Sequence, residues 1–97
     1  MKAQPIELLA PAKNADIGIE AILHGADAVY IGGPGFGARV DAANTFADIK
    51  RLTDFAHRFN ARVYMTLNTI VNDEERIEAI ELAKLAYENG VDALIVQ

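Results

Sequence analysis

Gly25-Ala26-Asp27-Ala28-Val29-Tyr30-Ile31 returns near the end of the chain as Gly90-Val91-Asp92-Ala93-Leu94-Ile95-Val96. In each copy a glycine that can take the left-handed conformation stops a helix, a short loop follows, and an apolar run then reads as a strand buried on both faces. A helix-to-strand junction used twice points to a repeating β-α unit and a parallel sheet. Side chains alternate along a strand, so aligning the two copies puts Ala28, Tyr30 and Gly32 on the same side as Ala93, Ile95 and Gln97.

Working outward, four short apolar runs read as strands: Ile6 to Ala10, Ala28 to Gly32, Arg62 to Asn68 and Ala93 to Gln97. Strand three adds Tyr64, Thr66 and Asn68 to the shared face by the same parity. Between strands one and two, Ala15, Ile19, Ile22, Leu23 and Ala26 recur at helical spacing, with Asn14 as N-cap and Gly25 as the stop. Between strands two and three, Thr45 caps a helix with Asp48 three residues on, and Phe46, Ile49, Leu52, Phe55, Ala56 and Phe59 form one apolar stripe. After strand three, Asn72 or Asp73 caps a third helix whose early Glu74, Glu75 and Glu78 complement the positive end of its dipole. Its apolar face is expected to hold Ala79, Ile80, Leu82, Ala83, Ala86 and Tyr87, and Asn89-Gly90 ends it.

The order β-α-β-α-β-α-β fits half of a (β/α) barrel or a small doubly wound sheet. No G-x-G-x-x-G fingerprint follows strand one, where Ala10-Pro11-Ala12-Lys13 stands instead, and the barrel is favoured. The expected fold is therefore α/β, the first part, (β/α)3β, of a TIM-like barrel with parallel strands and helices on the outside. The chain ends within an apolar strand that no helix follows. Residues 1–97 are thus expected to be an N-terminal fragment cut after its fourth strand, and its open strand edges to favour self-association.

Composition narrows the function. The 97 residues are 52% hydrophobic and 24% charged, with a net charge of −5, which describes a folded globular unit. Its nine basic residues are scattered, so this segment offers no basic surface for nucleic acid. The sequence has no cysteine, and thiolate metal sites and disulfides are excluded within it. No apolar run is long enough for a membrane helix, the N-terminal stretch is too broken for a secretory signal, and a bacterial cytoplasmic setting is expected.

Five blocks in order, Glu7-Leu8-Leu9-Ala10-Pro11-Ala12, Gly25 to Gly32, Phe36-Gly37-Ala38-Arg39, Thr66-Leu67-Asn68-Thr69 and Gly90 to Gln97, resemble the N-terminal segment of the collagenase-like peptidase family, peptidase family U, number thirty-two. The resemblance covers nearly the whole chain. Lys13 departs from it, because the family usually has Gly at that place in the first turn. The resemblance implies the N-terminal part of a barrel enzyme acting on protein or peptide substrates by an unknown catalytic type. It equally implies an alternative, since other family members take part in hydroxylating RNA bases or ubiquinone precursors with an iron–sulfur cluster held by cysteines further along the chain. A third reading is a non-enzymatic binding scaffold. RNA is a possible partner of the longer protein in the second reading, and a catalytically inert fragment is expected in all of them.

Barrels place function at the C-terminal ends of their strands and in the loops that follow. Gly33-Pro34-Gly35-Phe36-Gly37-Ala38-Arg39 combines three glycines, which permit close backbone approach, with a planar guanidinium suited to carboxylate or phosphate. Arg39 and Phe36 are candidate substrate-binding residues there, against the alternative of an irregular turn with a structural ion pair. Asn68 could bond substrate or its own loop. Tyr30 could line the lumen or meet the substrate. Glu7 sits at the opposite end and reads as structural support. Catalytic residues are not legible. His24 and His57 read as surface positions, and neither H-E-x-x-H nor a serine elbow is present. The acidic start of helix three reads as a solvated helix end, with no metal site.

Overall fold

The computed structural model describes residues 7–34, 44–67 and 73–96. Seven elements follow one another: β1 (Leu9–Ala12), α1 (Ala15–Leu23), β2 (Ala28–Gly32), α2 (Phe46–Arg58), β3 (Arg62–Leu67), α3 (Asp73–Glu88) and β4 (Ala93–Val96). All neighbouring strands are parallel, and the sheet order is β1-β2-β3-β4.

That order decides between the two architectures left open above. A doubly wound sheet reverses strand order part-way and puts helices on both faces, whereas right-handed crossovers between strands in sequential order put every helix on one face. The core agrees with the second arrangement. Ala12, Val29, Ile31, Val63, Met65 and Leu67, all on one side of the sheet, cluster with Ile22 of α1, Ile49, Leu52 and Ala56 of α2, and Ala86 of α3. The chain is the first (β/α)3β part of a TIM-like barrel, with its helices outside.

Register fixes the other face. Pro11 lies beside Tyr30, Tyr30 beside Tyr64, and Tyr64 beside Ala93; one step higher, Gly32 lies beside Thr66 and Thr66 beside Ile95. These residues share the inner face, as the parity argument required.

Two expectations are corrected. The first strand runs from Leu9 to Ala12, later than Ile6 to Ala10, and so contains Pro11; Ile6 lies outside the described residues. Proline breaks a strand only where its missing N–H is needed by a neighbour, and among the described residues β1 is an edge strand. On α3, Ala79, Leu82, Ala83 and Ala86 face the core, but Ile80 and Tyr87 are 52% and 82% exposed. At 100° per residue they lie round the helix from Ala86, and apolar residues spread over two sides cannot all face one sheet.

Helices α1 and α2 pack through a close contact. A Cβ on Gly18 would come within 2.8 Å of Leu52, so glycine lets Leu52 fill the groove. Arg51 reaches across to Asp16 at 2.9 Å. The capping residues act as expected: Asn14 Oδ1 accepts the N–H of Ile17 at 2.9 Å, and Thr45 Oγ1 accepts that of Asp48 at 3.1 Å.

Candidate functional site at the C-terminal ends of the strands

The sheet has two ends of different construction. At the N-terminal end, all three helix-to-strand junctions use one set of bonds. Ala26, Ala61 and Val91 donate to the carbonyls of Ala21, Ala56 and Ala86, while Gly25, Asn60 and Gly90 donate to those of Ile22, His57 and Tyr87. This is the Schellman arrangement, with a left-handed residue after each helix: φ is 102° at Gly25, 59° at Asn60 and 92° at Gly90. The middle copy escapes a reading by residue type, because Asn60 replaces the glycine and Arg62 the aspartate. Its signal is the alanine five residues before the buried small residue, present as Ala21, Ala56 and Ala86.

The two aspartates of the repeat are clamps. Asp27 Oδ2 accepts the N–H of Leu8 at 2.9 Å and Asp92 Oδ2 that of Val63 at 2.8 Å, each at the start of the neighbouring strand. Asp92 Oδ2 also meets His57 Nε2 at 2.9 Å. His57 is therefore tied to the junction, and His24 is held by its own helix, with Nδ1 2.8 Å from the carbonyl of Glu20. An open cleft of about 530 Å³ lined by Leu9, Arg62, Tyr64, Asp92, Ala93 and Ile95 lies on the inner face towards this end. Within this lining Tyr64 donates its hydroxyl to Glu7 at 3.2 Å. In barrels this end serves stability.

The C-terminal end carries the candidate site. Asn44, ahead of α2, donates Nδ2 to the carbonyl of Gly32 at 3.0 Å and to that of Lys13 at 3.2 Å. One amide thus braces the loop after β1 against the end of β2. Gly33 follows, its N–H bonded to the carbonyl of Thr66. It runs so close to Met65 that a Cβ would come within 2.9 Å of that side chain. Tyr30, half-buried, stands on the inner face below Gly32, with Thr66 across on β3. Arg39, Phe36 and Asn68 lie outside the described residues. Sequence reading passed over Asn44, since a loop asparagine has no distinguishing spacing.

Among the described residues no three His, Cys, Asp or Glu side chains come together as a metal-holding group, and the sequence contains no cysteine. The residues of this segment do not fit a thiolate-held iron–sulfur cluster. Among the described residues no helix is long and apolar enough to cross a membrane.

A sequence profile of peptidase family U32 matches residues 13–97. The chain belongs to peptidase family U32. Within the family, it is 60% identical over 92 residues to the 23S rRNA 5-hydroxycytidine C2501 synthase of Escherichia coli (strain K12), covering 95% of this chain and 14% of that protein. It is 36% identical over 91 residues to tRNA hydroxylation protein P1 of Bacillus subtilis (strain 168), covering 93% of this chain and 22% of that protein. It is 31% identical over 97 residues to a collagenase of Porphyromonas gingivalis (strain ATCC BAA-308 / W83), covering 98% of this chain and 23% of the relative. The chain thus spans less than a quarter of each of these three relatives.

Proposed function

We propose that this U32 chain is the N-terminal part of an enzyme that hydroxylates a pyrimidine base of RNA. The observation that carries this reading is the 60% identity over 92 residues to an rRNA hydroxycytidine synthase, against 31% to the collagenase. The residues favour the same choice. Among the described residues the one His–Asp pair, His57 with Asp92, lies at the stability end, away from the ends of the strands where a barrel places its chemistry. A hydroxylase asks something different of this segment, namely a wall that holds a base while chemistry is supplied from elsewhere.

The division of labour follows from charge. With a net charge of −5, the segment repels the phosphate backbone, so the cations that bind RNA belong to other parts of the longer protein. What its described residues offer is an inner face of half-buried tyrosines and small residues. A modified base must leave its stack and enter a concave pocket, and the ends of β2 and β3 are placed to form one side of it. The iron–sulfur cluster that the resemblance implies for the longer protein would draw its cysteines from outside this segment. The open edges at Leu9 and Val96 are read as the places where further strands of the enzyme pair.

The test is to delete the gene for the full-length protein and digest total RNA to nucleosides for mass spectrometry. Loss of a hydroxylated pyrimidine, restored by the plasmid-borne gene, is the expected result. An unchanged nucleoside profile, together with cleavage of denatured collagen by the purified protein, would return the peptidase reading.

A further inference from the structure

Glycine costs conformational entropy in a strand and is expected where backbone or packing demands it. Four of the five described glycines meet such a demand. Gly25 and Gly90 have positive φ, and a Cβ on Gly18 or Gly33 would strike Leu52 or Met65 at 2.8 and 2.9 Å. Gly32 is different. Its φ is not positive, it pairs in register with Thr66, and among the described residues a Cβ built on it would meet nothing closer than Thr66 Oγ1 at 3.9 Å. Among the described residues nothing asks for glycine there, and the missing side chain leaves an opening on their inner face.

The opening lies where a ligand would need it. Barrel lumens are filled by layers of bulky branched side chains. Here the in-register row Pro11, Tyr30, Tyr64 and Ala93 gives a partly aromatic floor, and the next row towards the C-terminal end drops to Gly32 and Thr66 beside Ile95. Asn44 holds the Gly32 carbonyl from the loop side, which fixes the rim. The hydroxyls of Tyr30 and Thr66 have no hydrogen-bond partner among the described residues. A flat, partly polar group fits such a place better than a peptide side chain, because a ring edge can use the hydroxyls while its face lies on the floor.

We propose that Gly32 is a specificity-determining position, and that the space between it, Tyr30 and Thr66 takes the pyrimidine ring of the target nucleotide. The inference rests on the hydroxylation reading and deepens it. Filling the space excludes the ring without disturbing the sheet, because the first added carbon has room.

The experiment uses the full-length enzyme and rRNA from a strain lacking the modification, with hydroxylated pyrimidine measured by nucleoside mass spectrometry. Gly32→Val is expected to lower kcat/KM by roughly tenfold or more, on the scale of one to a few misplaced methyl groups in a pocket. Its melting temperature should stay within about 2 °C of wild type, a shift below about 1 kcal/mol. Gly32→Ala is expected to show a smaller loss of the same kind and serves where the valine variant does not fold. Wild-type kcat/KM in a folded variant overturns the proposal, as does a loss of activity that only tracks a fall in melting temperature. If the wild-type enzyme itself makes no hydroxylated pyrimidine, the hydroxylation reading fails first, and the ligand named here goes with it.

Discussion

The two ends of the sheet differ in how much they repeat. At the N-terminal end three junctions share a left-handed residue at the same place, the same backbone bonds and, in two of three, the same aspartate clamp. At the C-terminal end the connection after β1 is only Lys13-Asn14, while the stretch between β2 and α2 spans Gly33 to Thr45. Repetition is what a segment shows when every copy solves one physical problem, here stopping a helix and starting a buried strand. Its loss at the other end is what loops show when each has a different task. Substitutions at the first end should therefore move stability, and those at the second should move activity.

The largest effect expected at the repeating end is from Asp92→Ala. Val63 is fully buried, and removal of the carboxylate leaves its N–H without an acceptor, at a cost of about 2 to 3 kcal/mol. Asp27→Ala should cost less, about 1 kcal/mol, because Leu8 is exposed and water can replace the lost acceptor. Urea unfolding of the two full-length variants checks the order; equal losses would mean that burial of the bonded strand does not set the value of the clamp.

The glycines give the next step down. Gly90→Ala is expected to cost about 2 kcal/mol, since φ is 92° and the new Cβ would also sit 3.0 Å from Thr53 Oγ1. Gly25→Ala, with φ of 102° and nothing within 4 Å, should cost only the conformational part, about 1 kcal/mol. Thermal melting of both variants separates strain from crowding. Should Gly25→Ala prove the worse of the two, the packing of Thr53 against the third junction would be shown to be loose.

At the other end, Asn44→Asp keeps the shape of the side chain but turns its donor into a carboxylate facing the carbonyls of Lys13 and Gly32. It should lower base hydroxylation about tenfold, close to 1.4 kcal/mol of transition-state binding, with a stability change below about 1 kcal/mol. A variant that loses stability and activity in proportion would place Asn44 with the structural residues and weaken the contrast between the two ends.

The legibility of the chain divides in a similar way. β2 and β4 could be read because Ala28 to Gly32 and Ala93 to Val96 are continuous apolar runs behind a glycine, and the parity of Tyr30, Tyr64 and Ile95 followed from the two-residue period alone. β1 was misplaced because Pro11 reads as a break, and only sheet order reveals that its strand lies at an edge. Helix α3 misled because Ile80 and Tyr87 are apolar yet face away from Ala86, a distinction that needs the partner surface. The site was legible only as a region. Tyr30 stands on the inner face as expected, Arg39, Phe36 and Asn68 lie outside the described residues, and the brace at Asn44 depends on carbonyls brought together from the loop after β1 and the end of β2.

The smallest effect tests the repeat itself. If the three junctions are one solution, the middle copy is the imperfect one, since Asn60 holds a φ of 59° with a side chain that the first and third copies lack. Asparagine tolerates this region better than most residues but still less freely than glycine. Asn60→Gly should then stabilise the protein by about 0.5 kcal/mol, the relief of strain outweighing the added freedom of the unfolded chain. The reverse change at an outer junction, Gly25→Asn, should destabilise by a similar amount, because the space beside Gly25 is open and only backbone conformation is altered. Opposite signs from these two exchanges would establish that one backbone requirement governs both junctions. Destabilisation by both would mean that Asn60 makes a contribution of its own, and that the middle junction is a separate device rather than a third copy.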